Sequence, residues 1–344
     1  MPVLKAIMAA ALYGLSSPIS KLLLKEVSAL MMAALVYLGA GLGMLIVSLT
    51  MTKGKAGFRE AALSRKDLPL AAGVVILDIA APVLMMTGLM LTTPSNAALL
   101  GNFEIVATSL IALVIFKEAI GRRLWISIAL ITAASIMLTF EGEGSLDFSA
   151  GSLLVLLACA SWGLENNFTR MLSIKDPVQI TVIKGLGSGT GALLIALLSH
   201  EATWNPAYNS AAVVLGFFAY GLSIFLYVSA QRDLGAARTS AYYAVAPFIG
   251  VGLSFLLFRT PVTPWFLVSF LIMVAGSYLA VSENHEHLHR HEQLVHEHRH
   301  RHDDMHHDHH GEGAFPAEHT HMHVHDGVEH SHRHTPDLHH RHGH

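Results

Sequence analysis

Apolar residues dominate ten stretches of the chain, and each stretch has the length of a membrane-crossing helix. A helix needs roughly 20 apolar residues to cross ~30 Å of hydrocarbon, and none of the ten carries the polar stripe of a soluble protein's surface helix. The first run continues past the length of a signal peptide, so we predict an uncleaved helix. The pattern predicts an all-α polytopic membrane protein with ten transmembrane helices, numbered here as spans 1 to 10: residues 4–24, 29–51, 68–91, 94–116, 122–140, 149–170, 177–199, 210–231, 236–258 and 263–282.

Composition divides the chain at residue 285. Residues 1–284 carry 17 Lys and Arg against 14 Asp and Glu, whereas residues 285–344 carry 5 Arg against 11 acids and hold 23 of the 24 histidines. The whole-chain pI of about 6.8 therefore averages two parts of the chain with different charge and describes neither. Cys159 is the only cysteine. This excludes an intramolecular disulfide and a cysteine-based metal site.

Basic residues alternate between the connections, which predicts an orientation because Lys and Arg accumulate on the cytoplasmic side. Residues 1–5 and the connections after spans 2, 4, 6 and 8 hold 13 Lys and Arg; the opposite connections hold 3, and the one after span 5 is acidic. We therefore predict an inner (plasma) membrane protein with both termini in the cytoplasm.

The ten spans divide into two sets of five with matching landmarks. Gly14 and Lys21 match Gly163 and Arg170 at an offset of 149 residues. Ala133-Ala134-Ser135 matches Ala275-Gly276-Ser277. Three glycines of span 2 match three of span 7 at an offset of 146 residues: Gly39, Gly41 and Gly43 with Gly185, Gly187 and Gly189. Because five is odd, the halves must be inverted, as in many secondary transporters. We predict three parts, comprising a first five-helix repeat (1–140), a second (141–284) and a tail (285–344).

The segment where spans 4 and 5 meet carries a family resemblance. There Leu113-Val114-Ile115-Phe116-Lys117-Glu118 leads into Trp125 and Ala129-Leu130-Ile131. This segment resembles the EamA family of the drug/metabolite transporter superfamily, and the likeness covers residues 4–282. The second copy has Arg259-Thr260-Pro261 instead, so any role of the family's glutamate passes only to Glu118. The resemblance implies ten helices, no ATPase subunit, and export driven by an ion gradient or by the substrate's own gradient.

Two acids are predicted near the middle of the membrane, where ionisable residues are costly and functional. Asp78 lies ten residues into span 3 and Glu104 ten residues into span 4. At 1.5 Å per residue each is roughly 15 Å deep. The interface of inverted repeats is where substrate sites occur, so we predict that both acids line the substrate or ion pathway.

Two prolines add free backbone oxygens at this depth. Pro82 removes the helical donor for the carbonyl of Asp78. Pro247 aligns with Glu104 at an offset of 143 and removes the donor for the carbonyl of Tyr243. These groups could bind a proton, a cation or an ammonium group, or the prolines could be kinks that help the helices to pack.

Three further polar residues lie nearer the cytoplasm. Glu165 and Asn166 are about 22 Å along span 6, and Arg170 is a candidate structural partner of Glu165. Lys184 could extend its side chain to the nearby surface or pair with Glu165 or Glu104. We include all three as candidates for the pathway.

The tail alternates histidine with other residues. In an extended chain this pattern places successive imidazoles on one side, and imidazole binds zinc, nickel, copper and cobalt. Low hydrophobicity predicts disorder without metal. The candidate ligands are His285, His287, His289, His291, His296, His298, His300, His302, His306, His307, His309, His310, His319, His321, His323 and His325, with further histidines at His330, His332, His334, His339, His340, His342 and His344.

These features predict a secondary exporter whose activity or substrate involves a transition-metal ion. The alternatives are a metabolite or amino-acid exporter with a metal-buffering tail, and a membrane sensor or metal store that transports nothing. We expect no enzymatic activity, no required cofactor and no nucleic-acid partner. The expected partners are the lipid bilayer and a small-molecule or metal-ion substrate, and a homodimer is left open.

Overall fold

The computed structural model describes residues 2–51, 63–117, 120–139, 149–172, 176–234, 242–259 and 262–282, together with four short segments of the tail. Up to residue 282 these ranges fold almost wholly into helix, as predicted. The helices are α1 (Pro2–Gly14), α2 (Ser16–Leu23), α3 (Ala29–Met51), α4 (Leu68–Leu91), α5 (Pro94–Leu100), α6 (Phe103–Phe116), α7 (Arg122–Thr139), α8 (Ala150–Leu172), α9 (Pro177–Leu198), α10 (Pro206–Gly216), α11 (Ser223–Leu234), α12 (Ala246–Phe258) and α13 (Pro264–Val281). A 3₁₀ turn (Arg65–Asp67) precedes α4, and a π-helical segment (Phe217–Leu222) joins α10 to α11.

Eight stretches among the described residues are long and apolar enough to cross a membrane. They correspond to spans 1–5, 7, 8 and 10. Span 6 is the 23-residue helix α8, whose second half carries polar residues, and span 9 is represented by the 13-residue helix α12. The polytopic, helical fold is therefore confirmed for the described residues up to 282, and the count of ten stays a prediction.

The contacts between helices are the same when each helix is replaced by its counterpart in the other repeat. Helix α3 packs against α9, and α7 against α13, so spans 2 and 5 each contact their own counterparts. Helix α4 packs against α8 just as α11 packs against α1, and α6 contacts α8 just as α12 contacts α1. These helices of the first repeat thus make the same contacts as their counterparts in the second, as expected for a two-repeat transporter.

The matched glycines lie where helix backbones meet closely. A Cβ atom added to Gly41 would lie 2.5 Å from the backbone nitrogen of Leu186, and one added to Gly185 would collide with the backbone of Gly41. Gly14 and Gly163, which the sequence aligns, face α12 and α6 in the same way. Small residues allow such close approach in membrane helices.

The tail contains four strands that form two antiparallel pairs. Strand β1 (His285–Arg290) pairs with β4 (Glu329–His334), and β2 (Leu294–Arg301) pairs with β3 (Glu318–His325). Alternation with a period of two suits an extended backbone in these four segments, and the disorder of the tail without metal stays a prediction. The remaining tail residues, including His291, His302, His306, His307, His309 and His310, lie outside the described residues.

Candidate functional site

Spans 4 and 9 are both interrupted at the depth of Glu104. Helix α5 ends at Leu100 and α6 begins at Phe103, so Glu104 lies in the first turn of a new helix. In span 9 a turn at residues 244–245 precedes α12, whose first turn contains Pro247. The helix is thus fully interrupted before Pro247 instead of only kinked, because proline favours the first turn of a helix. Broken helices at matching positions are typical of transporter binding sites.

The C-terminal ends of these two half-helices also correspond. Helix α6 is followed by Lys117 with a φ of 55°, and α12 by Arg259 with a φ of 49°. Both residues cap their helix in the left-handed conformation, an uncommon one for side chains of this size. Lys117 and Arg259 therefore occupy matching positions at the ends of the two half-helices. Glu118 lies outside the described residues.

A buried cluster of charged groups connects the two repeats. The Nζ atom of Lys184 lies 2.8 Å from Oε1 of Glu165 and 3.4 Å from Oδ2 of Asp78. Asp78 and Glu165 are almost completely buried. Lys184 therefore pairs with Glu165, one of the predicted alternatives, and also with Asp78, which the sequence did not predict. The Lys184 side chain is turned inward to this cluster.

Hydrogen bonds extend the cluster on both sides. Tyr37 donates to Oδ1 of Asp78 over 3.0 Å, and the indole nitrogen of Trp162 donates to the Tyr37 hydroxyl over 3.2 Å. Thr169 donates to Glu165. Sequence reasoning missed these three residues, since a tyrosine or tryptophan in an apolar helix more often serves packing. The one available signal was the position of Trp162 beside the repeated Gly163.

Glu104 lies in a separate polar group, joined to the cluster through α8. Asn166 donates to Oε1 of Glu104 over 2.6 Å and to the hydroxyl of Thr108 over 3.4 Å. Because Glu165 and Asn166 are consecutive, they point to different neighbours, Glu165 to Lys184 on α9 and Asn166 to Glu104 on α6. Helix α8 therefore brings both predicted midplane acids into one region.

The other predicted positions lie as follows. Pro82 is inside α4 one turn after Asp78 and is buried. Tyr243 lies just before the break in span 9, and its hydroxyl is 3.4 Å from that of Ser223. The side chain of Arg170 lies outside the part of the chain that the structure describes.

A cavity lies between the repeats, on the side of the membrane where spans 3 and 4 connect. Its wall includes Met85 and Leu89 of α4 with Ala97 and Gly101 of span 4, and it reaches Tyr13, Trp162 and Tyr220 near the middle of their spans. Trp162 belongs to both the wall and the hydrogen-bond chain to Asp78. The cavity is thus linked to the charged cluster through two aromatic residues.

Tyrosine rings from four spans pack together at the deep end of this cavity. The ring centroid of Tyr220 is 5.9 Å from that of Tyr13 and 5.6 Å from that of Tyr37. Tyr13 lies 5.8 Å from Tyr243, which in turn lies 4.9 Å from Tyr227. Tyr220 is part of the π-helical segment, and such segments frequently occur at functional sites.

A two-repeat helical membrane protein, with broken helices, a buried charged cluster and a cavity between the repeats, has the architecture of a secondary transporter. The chain belongs to the EamA-like transporter family, whose model matches residues 1–140 and 149–282. This match places the chain in a family of transporters and confirms the two-repeat architecture.

Two relatives are also transporters, and a solved structure shares the fold. The chain is 27% identical over 281 residues to an uncharacterized transporter of Methanothermobacter thermautotrophicus, covering 78% of this chain and 82% of that one. It is 20% identical over 208 residues to the uncharacterized transporter YyaM of Bacillus subtilis, covering 56% and 66%. One crystal structure shares the fold with a TM-score of 0.56 at 16% identity, over 81% of this chain and 95% of that one.

Proposed function

We propose that this protein is a secondary exporter of a small organic solute, and that transition-metal ions bound to its tail control its activity. The observation that best supports a transport pathway is the buried cluster of Asp78, Lys184 and Glu165 between the repeats. Buried charges are costly and occur in membrane helices mainly along substrate and ion pathways. The cavity between the repeats ends on Trp162, which donates to the tyrosine that in turn donates to Asp78.

The second candidate is a transporter whose substrate is the metal ion itself. The charged cluster favours the first candidate, in which metal ions regulate the transporter, over the second, in which metal ions are transported. The two carboxylates of Asp78 and Glu165 already hold the ammonium of Lys184 between them. A divalent metal ion could bind these carboxylates only by displacing the ammonium, and its two positive charges would then repel the charge of Lys184 nearby.

Metal binding by the tail is supported by the strand register. Histidine lies opposite histidine at six places: His285 and His334, His287 and His332, His289 and His330, His296 and His323, His298 and His321, and His300 and His319. Directly opposite residues of an antiparallel pair have Cβ atoms ~5 Å apart, which suits two imidazoles sharing one ion. Zinc, nickel, cobalt and copper all accept such ligands.

The two candidates differ in what accumulates when the protein is missing. We expect cells lacking the gene to accumulate an organic compound, and we expect the difference from complemented cells to grow when zinc, nickel or cobalt is added. Metal content and untargeted small-molecule content would be measured in the same extracts. Accumulation of metal alone would favour the second candidate, and no difference of either kind would contradict a transport function.

We also propose the inner membrane as the location, with both termini in the cytoplasm. In a protein with Cys159→Ser, an impermeant thiol reagent applied outside the cell should label Ser145→Cys, between spans 5 and 6. Ala61→Cys and Ser331→Cys should become labelled only after the cells are opened. The opposite pattern would contradict the orientation, and with it the cytoplasmic placement of the tail.

A further inference from the structure

The wall of the cavity has a counterpart in the other repeat, which the sequence offsets identify. Residues of span 1 correspond to residues of span 6 at an offset of 149, and residues of α6 correspond to residues of α12 at an offset of 143. The wall includes, from span 1 and α12, Tyr13, Gly14, Ser16, Ser17, Pro247 and Gly250. Their counterparts are, in the same order, Trp162, Gly163, Glu165, Asn166, Glu104 and Ala107. Three predicted pathway residues are therefore counterparts of cavity wall residues.

The counterpart residues also lie together in the fold. Helix α6 contacts α8 just as α12 contacts α1. A Cβ atom added to Gly14 would lie 2.7 Å from the carbonyl oxygen of Ala246, and one added to Gly163 would lie 2.8 Å from the backbone nitrogen of Thr108. Inverted repeats place corresponding features on opposite sides of the membrane. The counterpart of the cavity therefore lies toward the connection of spans 8 and 9, the cytoplasmic side in the proposed orientation.

Charged side chains fill this counterpart region. The Nζ atom of Lys184 lies 2.8 Å from Glu165, the counterpart of a serine in the cavity wall, and 3.4 Å from Asp78. Asp78 belongs to span 3, and the counterpart span 8 provides Tyr220 to the cavity wall. The cavity and the charged cluster thus occupy corresponding places in the two halves of the molecule.

The two places differ in charge. Lys184 corresponds to Leu38 at the offset of 146. Among the described residues, those in the wall of the cavity carry no charged side chain. Ion pairs therefore hold the cytoplasmic place closed and have no equivalent at the outer one. Because removal of one partner leaves a buried charge uncompensated, such pairs strongly favour the closed arrangement.

We infer that the counterpart region is a second half-cavity of the transport pathway, lined by Glu104, Glu165 and Asn166. Lys184 closes this inner half-cavity by pairing with Glu165 and Asp78, and the cavity already described is the outer half. The inference rests on the proposed transport function and specifies where the pathway opens to the cytoplasm. A solute that enters from the cytoplasm has to separate Lys184 from its carboxylates, and it leaves through a neutral outer wall.

Cysteine reactivity at two corresponding positions tests this inference. Ser17→Cys is placed in the outer half-cavity, and Asn166→Cys is placed at the counterpart position of the inner one, both together with Cys159→Ser. The purified full-length protein is treated with N-ethylmaleimide, which is uncharged, so the charge of the cluster does not attract or repel it. We expect Ser17→Cys to react faster than Asn166→Cys.

Lys184→Met should open the inner half-cavity. The substitution leaves two buried carboxylates without their cation, and water entering from the cytoplasmic side would stabilise them. Reaction at Asn166→Cys should become about 10-fold faster or more, and reaction at Ser17→Cys should become slower. Lys184→Arg keeps the positive charge and should preserve the original order of reactivity.

A second reporter and two controls separate gating from damage to the fold. Thr108→Cys lies beside Asn166 on α6, leaves that amide in place and should respond to Lys184→Met in the same direction as Asn166→Cys. Lys25→Met and Glu26→Gln change exposed charged residues and should leave every reactivity unchanged. Size-exclusion profiles identify any variant that does not fold.

Two results would overturn the inference. One is unchanged reactivity of both inner reporters in folded Lys184→Met, and the other is a parallel rise at the inner and outer reporters, which indicates general loosening of the helices. The test needs neither substrate nor metal. Opposite changes at the two sides in a protein that exports no solute would contradict only the proposed function, whereas export without those changes would contradict only the gate.

Discussion

Replacing Glu104 with glutamine should abolish export while the protein still folds and reaches the membrane. Glutamine keeps the size of the side chain and can still accept the hydrogen bond from Asn166, which is 2.6 Å from Oε1 in the native protein. Glu104 is half-buried, and a neutral amide in such a position costs less than a carboxylate. Transport should nevertheless fall by about 10- to 100-fold, because a charged partner of the substrate or proton is lost.

Asp78→Asn should reduce export by a comparable factor for a different reason. The substitution removes one of the two carboxylates that hold Lys184 and leaves Glu165 as its partner. The asparagine oxygen can still accept from Tyr37, so folding should survive. Export would be followed as efflux of the accumulated compound from cells, with protein amount measured in membranes. Glu26→Gln should export normally, and full activity of Asp78→Asn and Glu104→Gln would make these acids packing features only.

The second large effect is expected from truncation after Glu283. This removes every histidine of the tail and none of the predicted spans, so insertion and folding should be preserved. Basal export should continue, but its response to added zinc, nickel or cobalt should disappear. If the tail only buffers metal, the truncated protein should export with an unchanged metal response.

The pH dependence of metal binding gives an independent check on the tail. Imidazole binds metal in its neutral form, and its ordinary pKa is about 6.5. Binding should therefore be strong above that pH and weaken as the pH falls below it, because protons compete for the ligand nitrogens. Isothermal titration of full-length and truncated protein should show the difference, and binding by both forms would place the metal outside the tail.

The sequence was sufficient for the two repeats, but not for the neighbours of the acids, and the membrane depth of the acids stays a prediction. Counting residues along a helix gives depth, so Asp78 and Glu104 could be placed near the middle of the membrane. It gives no information on which helix lies beside them. The contact of Asp78 with Lys184 joins residues in different repeats, and it depends on how α4 packs against α9.

The sequence also contained a signal for only one of the two helix breaks. Pro247 is a visible signal in span 9, but its counterpart in span 4 is the break at Gly101–Asn102, where no proline occurs. Tyr37 gave no signal either, because a single tyrosine in an apolar helix resembles ordinary packing. In the tail, the alternation of histidines predicted metal binding, whereas the pairing of β1 with β4 and β2 with β3 needed the register.

The central claim is that acids within the predicted spans carry transport while the tail adds control by metal. It is tested most directly in a strain lacking the gene that expresses the original protein, Glu104→Gln or the form truncated after Glu283. The content of the accumulated compound is measured with and without added zinc. We expect the original protein to lower it in a zinc-dependent way, the truncated form to lower it regardless of zinc, and Glu104→Gln to leave it at the level of the deletion strain. Equal content with the original protein and with Glu104→Gln would contradict the account.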